Sequence, residues 1–262
     1  MKEFILAALP LVLVGLALAV LAANHMAEKQ KDEKRGGTVG NGYCIPDFEE
    51  GERGMKKTLT NYMGLLGIVS LLSFAAAVIF APRAYPGYDW MAQAVSDLSA
   101  ESSPSRTLCN QISALYAPCG IVCCTVSCIA IQGYCNRMLR AGVYLFAVMN
   151  WVTAVGYSMF PLTDAGNPNG FQNIMHLVVT VAVVVLSIVS LVMIFYGGWH
   201  KRACRSLGLY AAVALLLMLV GGIGVNIAPK EYLGLLERFS LFSVTGFNAV
   251  LGIYLFKGWE KQ

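Results

Sequence analysis

Seven apolar runs punctuate the chain, at about 4–23, 62–81, 109–132, 141–161, 171–195, 207–228 and 239–256. A helix needs about 20 apolar residues to cross the hydrocarbon core of a bilayer, and each run meets or approaches that length. Backbone polar groups in lipid must be satisfied within the segment, so these runs predict helices. The period-two alternation of membrane barrel strands is absent. The pattern therefore predicts an all-α integral membrane protein, with a core of six transmembrane helices behind one N-terminal transmembrane helix.

The connections alternate in character. Three helices end in the same way, at Ala81-Pro82, Phe160-Pro161 and Ala228-Pro229; proline just past a helix end stops it, having no N–H to continue the ladder. The loop after the first of these carries Trp90, Met91, Ala94, Val95 and Leu98, spaced i, i+1, i+4, i+5, i+8. That stripe predicts a short amphipathic helix lying in the interface, with Tyr85, Tyr88 and Trp90 at headgroup level. Gln93, Ser96, Asp97 and Ser99 fall on its polar side. Ser103-Pro104 supplies an N-cap and first-turn proline for the next span. The second such loop, 162–170, is rich in Asn, Gly, Pro and Asp and reads as turn. The third ends in Glu237-Arg238, where the last apolar run opens.

Composition agrees with a membrane residence: 57% of residues are hydrophobic and 13% charged, against roughly 45–50% and about 25% in soluble domains. A soluble enzyme, a disulfide scaffold and a disordered chain are excluded. Fourteen of the 19 Lys and Arg residues fall in the segments 24–61, 133–140, 196–206 and 257–262. Cationic loops stay cytoplasmic, so the N-terminus is expected outside and the C-terminus in the cytoplasm. The formal net charge of +4 then reflects topology, and no nucleic-acid partner is expected.

The N-terminal 54 residues stand apart. Residues 4–23 can be read as a signal peptide, with Lys2, an apolar core and small residues near Ala22-Ala23. Cleavage there would leave seven cations outside, so the anchor reading is preferred. A charged, glycine-rich linker follows, and Met55-Lys56-Lys57 resembles a fresh start. The expected organisation is an anchor and linker over 1–54 and a six-helix core over 55–262.

Ionisable residues near membrane depth are costly and are the natural functional candidates. Asp97, Asp164, His176, Glu237 and Arg238 are all expected at the outer face, brought there by three loops. His176 lies five residues after Phe171, about 7–8 Å below the helix start. One outward-facing pocket can be drawn from them. In it His176 acts as a base, Asp164 orients it and Ser96 is the nucleophile. Arg238 and the N-terminus of the 171–195 helix would hold an anionic headgroup. The plainer alternative makes Glu237-Arg238 an interhelical clamp, pairing with Asp164 or Asp97, and His176 a hydrogen-bonded packing residue.

No metal is expected, because only His176 of the three histidines reaches the outer side and zinc sites use three or four ligands. No other cofactor is implied; His176 and His200 lie about 36 Å apart along one helix, too far for a shared haem. Cys119, Cys123, Cys124 and Cys128 share one span at helical spacing, which suits close helix packing. Gly221, Gly222, Gly224 and Asn226 would loosen a helix as in transporters, but no matching interruption occurs in the first half.

The segments Arg83-Ala84-Tyr85-Pro86 and Val95-Ser96-Asp97-Leu98-Ser99, Phe160-Pro161 with Asp164, His176 within its helix and Glu237-Arg238 come in a characteristic order. Together they resemble the bacterial membrane family catalogued as domain of unknown function 998, over roughly residues 60–257. The resemblance implies a bacterial cytoplasmic membrane protein and adds Arg83 to Asp97, Glu237 and Arg238 as candidate ligand-binding residues. It implies no activity. More remotely, the six-helix plan is similar to DRAM- and FRAG-type membrane proteins, some linked to lipid remodelling.

The expected function is a multi-pass membrane protein whose outer pocket binds or acts on a lipid or other amphiphile, an enzyme version being a lipid hydrolase or an acyl or headgroup transferase. A non-catalytic scaffold and a small-solute transporter are the alternatives. The expected partners are membrane lipids, with self-association as a homo-oligomer left open. Intact-mass measurement of the natural protein tests the division at Met55: a species beginning there is expected, and one beginning at Met1 or Lys2 would overturn it.

Overall fold

Where the apolar runs lie, helices form. The computed structural model describes residues 57–163, 170–199 and 204–259. The anticipated N-terminal helix and linker, Asp164, His200 and Cys44 lie outside the described residues.

Helices α1 (Leu59–Met63) and α2 (Leu65–Phe80) make the first span, and α3 (Arg106–Ile112) and α4 (Tyr116–Ala130) the second. Helices α5 (Arg137–Met159), α6 (Phe171–Trp199), α7 (Arg205–Ile227) and α8 (Leu233–Lys257) follow. Among the described residues six helical stretches are thus long and apolar enough to cross a membrane. Five lie within a few residues of their apolar runs. The last helix begins at Leu233 instead of near 239, so Glu237 and Arg238 sit more than a turn inside it.

The second span is broken by a 3-10 turn at Ser113–Leu115. Pro118 lacks the N–H that residue 114's carbonyl would need, so the chain cannot run through as one ideal helix. The N–H of Tyr116 turns to the Ser113 carbonyl. Two serines of α2 cover exposed carbonyls: Ser73 donates to Ile112 at 2.7 Å and Ser70 to Tyr116 at 2.7 Å. In lipid no water would do this, so the break is tolerable only beside α2.

The six spans pack as a closed ring in chain order, α2 against α4, then α5, α6, α7 and α8, which returns to α2. Helix α8 leans inward and also meets α4, and it is the most enclosed of the six. Its close approach depends on glycine. A Cβ on Gly252 would run into the Gly64 carbonyl, and one on Gly64 into that of Gly252. Cys123 is wholly buried at this junction, its thiol 3.9 Å from the carbonyls of Gly64 and Asn248. The cysteine run therefore packs helices together, with small residues at a crossing.

Packing is uneven along the ring. All six fully buried residues of α5 lie between Leu139 and Met149, and none in its last ten residues. In α6, only Asn173 and Val179 are buried before Ser187. The half carrying the short basic connections is closed by an apolar core that includes Leu139, Phe146, Leu191, Ile194, Phe247 and Tyr254. Phe146 and Phe247 meet edge to face across it, centroids 5.2 Å apart. Beneath the long loops α5 and α6 are looser and more polar, whereas α2 stays buried through Ala81.

Gly252→Leu should destabilise the protein by about 3 kcal/mol or more, the upper range for overpacking, because backbone and not a yielding side chain stands in the way. Gly222, with open space around its Cβ position, should accept alanine with a gain of about 0.4–1 kcal/mol. Thermal unfolding in detergent would separate the two.

Candidate functional site beneath the long loop

Loop 82–105 does not contain the amphipathic helix that its stripe predicts. Turns run from Tyr85 to Gln93, followed by a single 3-10 turn at Ser96–Leu98. The apolar residues still point inward: Leu98 is fully buried beside Ala77, Ala81 and Cys109, and Val95 is buried too. The backbone groups that a local helix would pair among themselves are taken by α8 instead. Arg238 Nη1 donates to the carbonyls of Trp90 at 2.7 Å and Gln93 at 3.2 Å. The N–H of Leu235 donates to the Met91 carbonyl, and the N–H of Val95 to Glu237 Oε2 at 2.6 Å. Gly234 lets the loop lie directly on α8, since a Cβ there would collide with the Gln93 carbonyl.

Arg238 is the centre of this arrangement and is 0% exposed. Nη1 also reaches the Gly234 carbonyl at 2.6 Å, and Nη2 donates to the Tyr88 hydroxyl at 2.7 Å. The Tyr88 hydroxyl in turn donates to the Ala94 carbonyl at 2.8 Å. Burial pushes the Tyr88 hydroxyl up to about 12, although the charge of Arg238 and its hydrogen bond pull the other way. Tyr88 therefore stays neutral and keeps its proton for Ala94. Among the described residues the one ion pair is the exposed Arg106–Glu101 contact at 3.8 Å. The charge of Arg238 is met instead by carbonyl dipoles and, at longer range, by Asp97 and Glu237.

Asp97 closes the roof locally, its Oδ2 accepting the Ala94 N–H at 3.1 Å. Burial raises its carboxyl above the ordinary 3.8, with Ala94 and Arg238 opposing. Ser96 lies in the same turn, where its carbonyl accepts from Ser99. Ser103 accepts from the Ser105 N–H, and the next helix starts after Ser105, two residues beyond the expected cap. Arg83 is exposed and stacks on Phe80 at 4.7 Å.

The loop is tied on its other flank to the α5–α6 connection. The N–H groups of Glu101 and Ser102 donate to the carbonyls of Leu162 and Thr163. Thr163 donates through both its N–H and its hydroxyl to Oδ1 of the buried Asn173, at 2.9 and 2.8 Å. His176, a turn further along, has Nδ1 2.8 Å from the Phe160 carbonyl. Because a carbonyl can only accept, Nδ1 carries the proton and Nε2 the lone pair in the neutral ring.

The imidazole stacks on Tyr157 with centroids 4.8 Å apart. Tyr157 donates to Thr180 at 3.1 Å, and Thr180 to the His176 carbonyl at 2.9 Å. Glu237 is near enough for its charge to act at both Tyr157 and Asp97. Two polar groups therefore lie at this end: Asp97, Glu237 and Arg238 at the loop, and Tyr157, Thr180 and His176 between α5 and α6.

Of the sequence candidates, the structure gathers Asp97, Glu237 and Arg238 in one cluster. It sets His176 against the end of α5 and joins Ser96 to His176 by no hydrogen bond among the described residues. Tyr88, Tyr157, Thr180 and Asn173 were not singled out as site residues. Tyr88 read as an interfacial aromatic, and the other three carry no motif; only the packing of α5 on α6 brings them to His176. Among the described residues no three His, Cys, Asp or Glu side chains gather to hold a metal ion.

A family model described as Protein of unknown function (DUF998) matches residues 68–254. No curated protein and no solved structure matches the chain.

Arg238→Met should cost roughly 3 kcal/mol, since it leaves the Trp90 and Gln93 carbonyls without their donor. Arg238→Lys should recover little, because a single ammonium cannot span both sides of the loop. Protease cleavage within 85–98, together with the unfolding midpoint, reads both. For Asp97, a folded-state value above the unfolded one adds stability that is complete below about pH 4 and is lost as pH rises through the folded value. Asp97→Asn should therefore gain on wild type as pH rises above about 4, measured as the difference in unfolding midpoint.

Proposed function

The chain belongs to the DUF998 family, and from its own geometry we propose that it binds an amphiphile from the outer leaflet of the bacterial cytoplasmic membrane. The polar headgroup sits in the loosely packed half beneath loop 82–105, and the apolar tail leaves between helices into lipid. The long-loop end faces outward in this reading, in keeping with the basic connections at the other end.

The observation that carries the proposal is the uneven packing of the ring. One half is shut by the Phe146–Phe247 contact and the apolar core around it. The other half keeps Glu237, Tyr157, Thr180 and His176 only partly covered. Polar groups gathered at only one end suit a binding site entered from one side. They do not suit a conduction path, which favours this reading over a transporter.

The chemistry of the lining selects the headgroup. Arg238 gives its Nη atoms to the protein's own carbonyls and Tyr88, so it holds the roof, with only its buried Nε unpartnered. The groups this end offers are mainly acceptors: the carboxyl oxygens of Glu237 and Asp97 not bound to Val95 and Ala94, and the Nε2 lone pair of His176. Hydroxyl- or ammonium-bearing headgroups match this set better than a bare phosphate. A hydrolytic or transferase version would use His176 as base, Asp164 to orient it and Ser96 as nucleophile. The lack of a Ser96–His176 hydrogen bond among the described residues favours binding over that version.

Lipids copurifying with the protein test the proposal. One hydroxyl- or amine-bearing class should be enriched on wild type. His176→Ala and Tyr157→Phe should each lower it about tenfold, the equivalent of one lost hydrogen bond. Lipid recovery identical to bulk membrane for all three proteins would refute it.

A further inference from the structure

At the opposite end of the bundle, two cysteines from distant segments meet. Cys135 lies in the turn between α4 and α5, and Cys204 immediately precedes α7. Their sulfurs are 2.9 Å apart, and the residues are 8% and 7% exposed. Both belong to the main core, with Ile131, Leu139, Leu207, Tyr254 and Trp259. Three cysteines of the α4 run are packed against backbone. Cys123, Cys124 and Cys128 each direct their thiol to a backbone carbonyl.

We propose that Cys135 and Cys204 are a redox-modification site, a dithiol that a small hydroperoxide converts into a disulfide. A sulfur–sulfur bond is about 2.05 Å long, so closure needs less than 1 Å of movement. The corner is already braced for it. Asn136 caps α5 by accepting the Leu139 N–H at 2.7 Å, and its Nδ2 donates to the Gly197 carbonyl at the end of α6 at 2.7 Å.

In the first step one thiolate attacks a peroxide oxygen. The O–O bond breaks, a sulfenic acid forms and, with one proton, the leaving oxygen departs as water or an alcohol. In the second step the other thiol attacks the sulfenic sulfur, the S–S bond forms, and the hydroxyl leaves as water with the thiol's proton. Two thiols are oxidised by two electrons in all and the peroxide is reduced by two. The cross-link closes a loop that encloses α5 and α6, the two helices that carry Tyr157 and His176. It ties the base of that hairpin to the start of α7. A reducing compartment holds the pair as thiols until such an oxidant arrives.

The full-length protein in its own membranes tests this. Cells are sampled before and after hydrogen peroxide, quenched in acid, denatured, alkylated and digested without reductant for mass spectrometry. A Cys135–Cys204 linked peptide should rise at least about tenfold after peroxide and disappear on dithiothreitol treatment. The unfolding midpoint of the purified protein should rise on oxidation for wild type and stay unchanged for Cys135→Ser and Cys204→Ala. The wild-type peptide map stands even if a variant folds poorly. Two alkylated thiols after peroxide, or linkage spread over other cysteines, would overturn the site. The same linked fraction before and after peroxide would overturn the switch.

Discussion

A guanidinium with no exposed surface is the constraint on which the long-loop end depends. A charge in that position must be surrounded by acceptors or it would not be stable there. Arg238 draws those acceptors from a loop some 145 residues earlier in the chain. Loop 82–105 therefore cannot satisfy its own backbone as a helix, and it lies instead as a roof across the start of α8. Glu237 and Leu235 bind it from the same helix turn, so the roof and the most enclosed span are one structural unit.

From that unit the rest of the recess follows. The roof's far flank is hydrogen-bonded to the α5–α6 connection, and through Thr163 and Asn173 to α6 itself. This gathers the long-loop ends of α5, α6 and α8 around partly covered polar side chains, while the opposite ends are packed with aromatic and aliphatic side chains. Tyr157 and His176 are tolerated at membrane depth because both have partners, Thr180 and the Phe160 carbonyl. The α5–α6 hairpin is braced at both ends, by the roof at one and by Asn136 and the cysteine pair at the other.

Much of the architecture was legible before any coordinates. Five of the six described spans match their apolar runs within a few residues, since burying a backbone in lipid demands long apolar helices whatever their neighbours. The start of α8 was misplaced because Glu237 and Arg238 read as the edge of an interface. Their partners lie in another loop, and no local window contains them. The interfacial helix that the stripe predicts does not form for the same reason: the stripe from Trp90 to Leu98 correctly marks the buried face but is silent on who takes the carbonyls.

The residues that matter at the recess divide in the same way. Asp97, His176, Glu237 and Arg238 stood out in the sequence alone, because a charged or imidazole side chain near a membrane span is expensive and so rarely incidental. Tyr88, Tyr157, Thr180 and Asn173 did not, since hydroxyls and amides are cheap enough to be ordinary there. The number of helices, their lengths and the presence of costly polar groups followed from sequence, because those depend on local hydropathy. Which groups meet was decided only by tertiary structure: hydrogen bonds act over about 3 Å, and the segments that supply them come together only when the ring of helices closes.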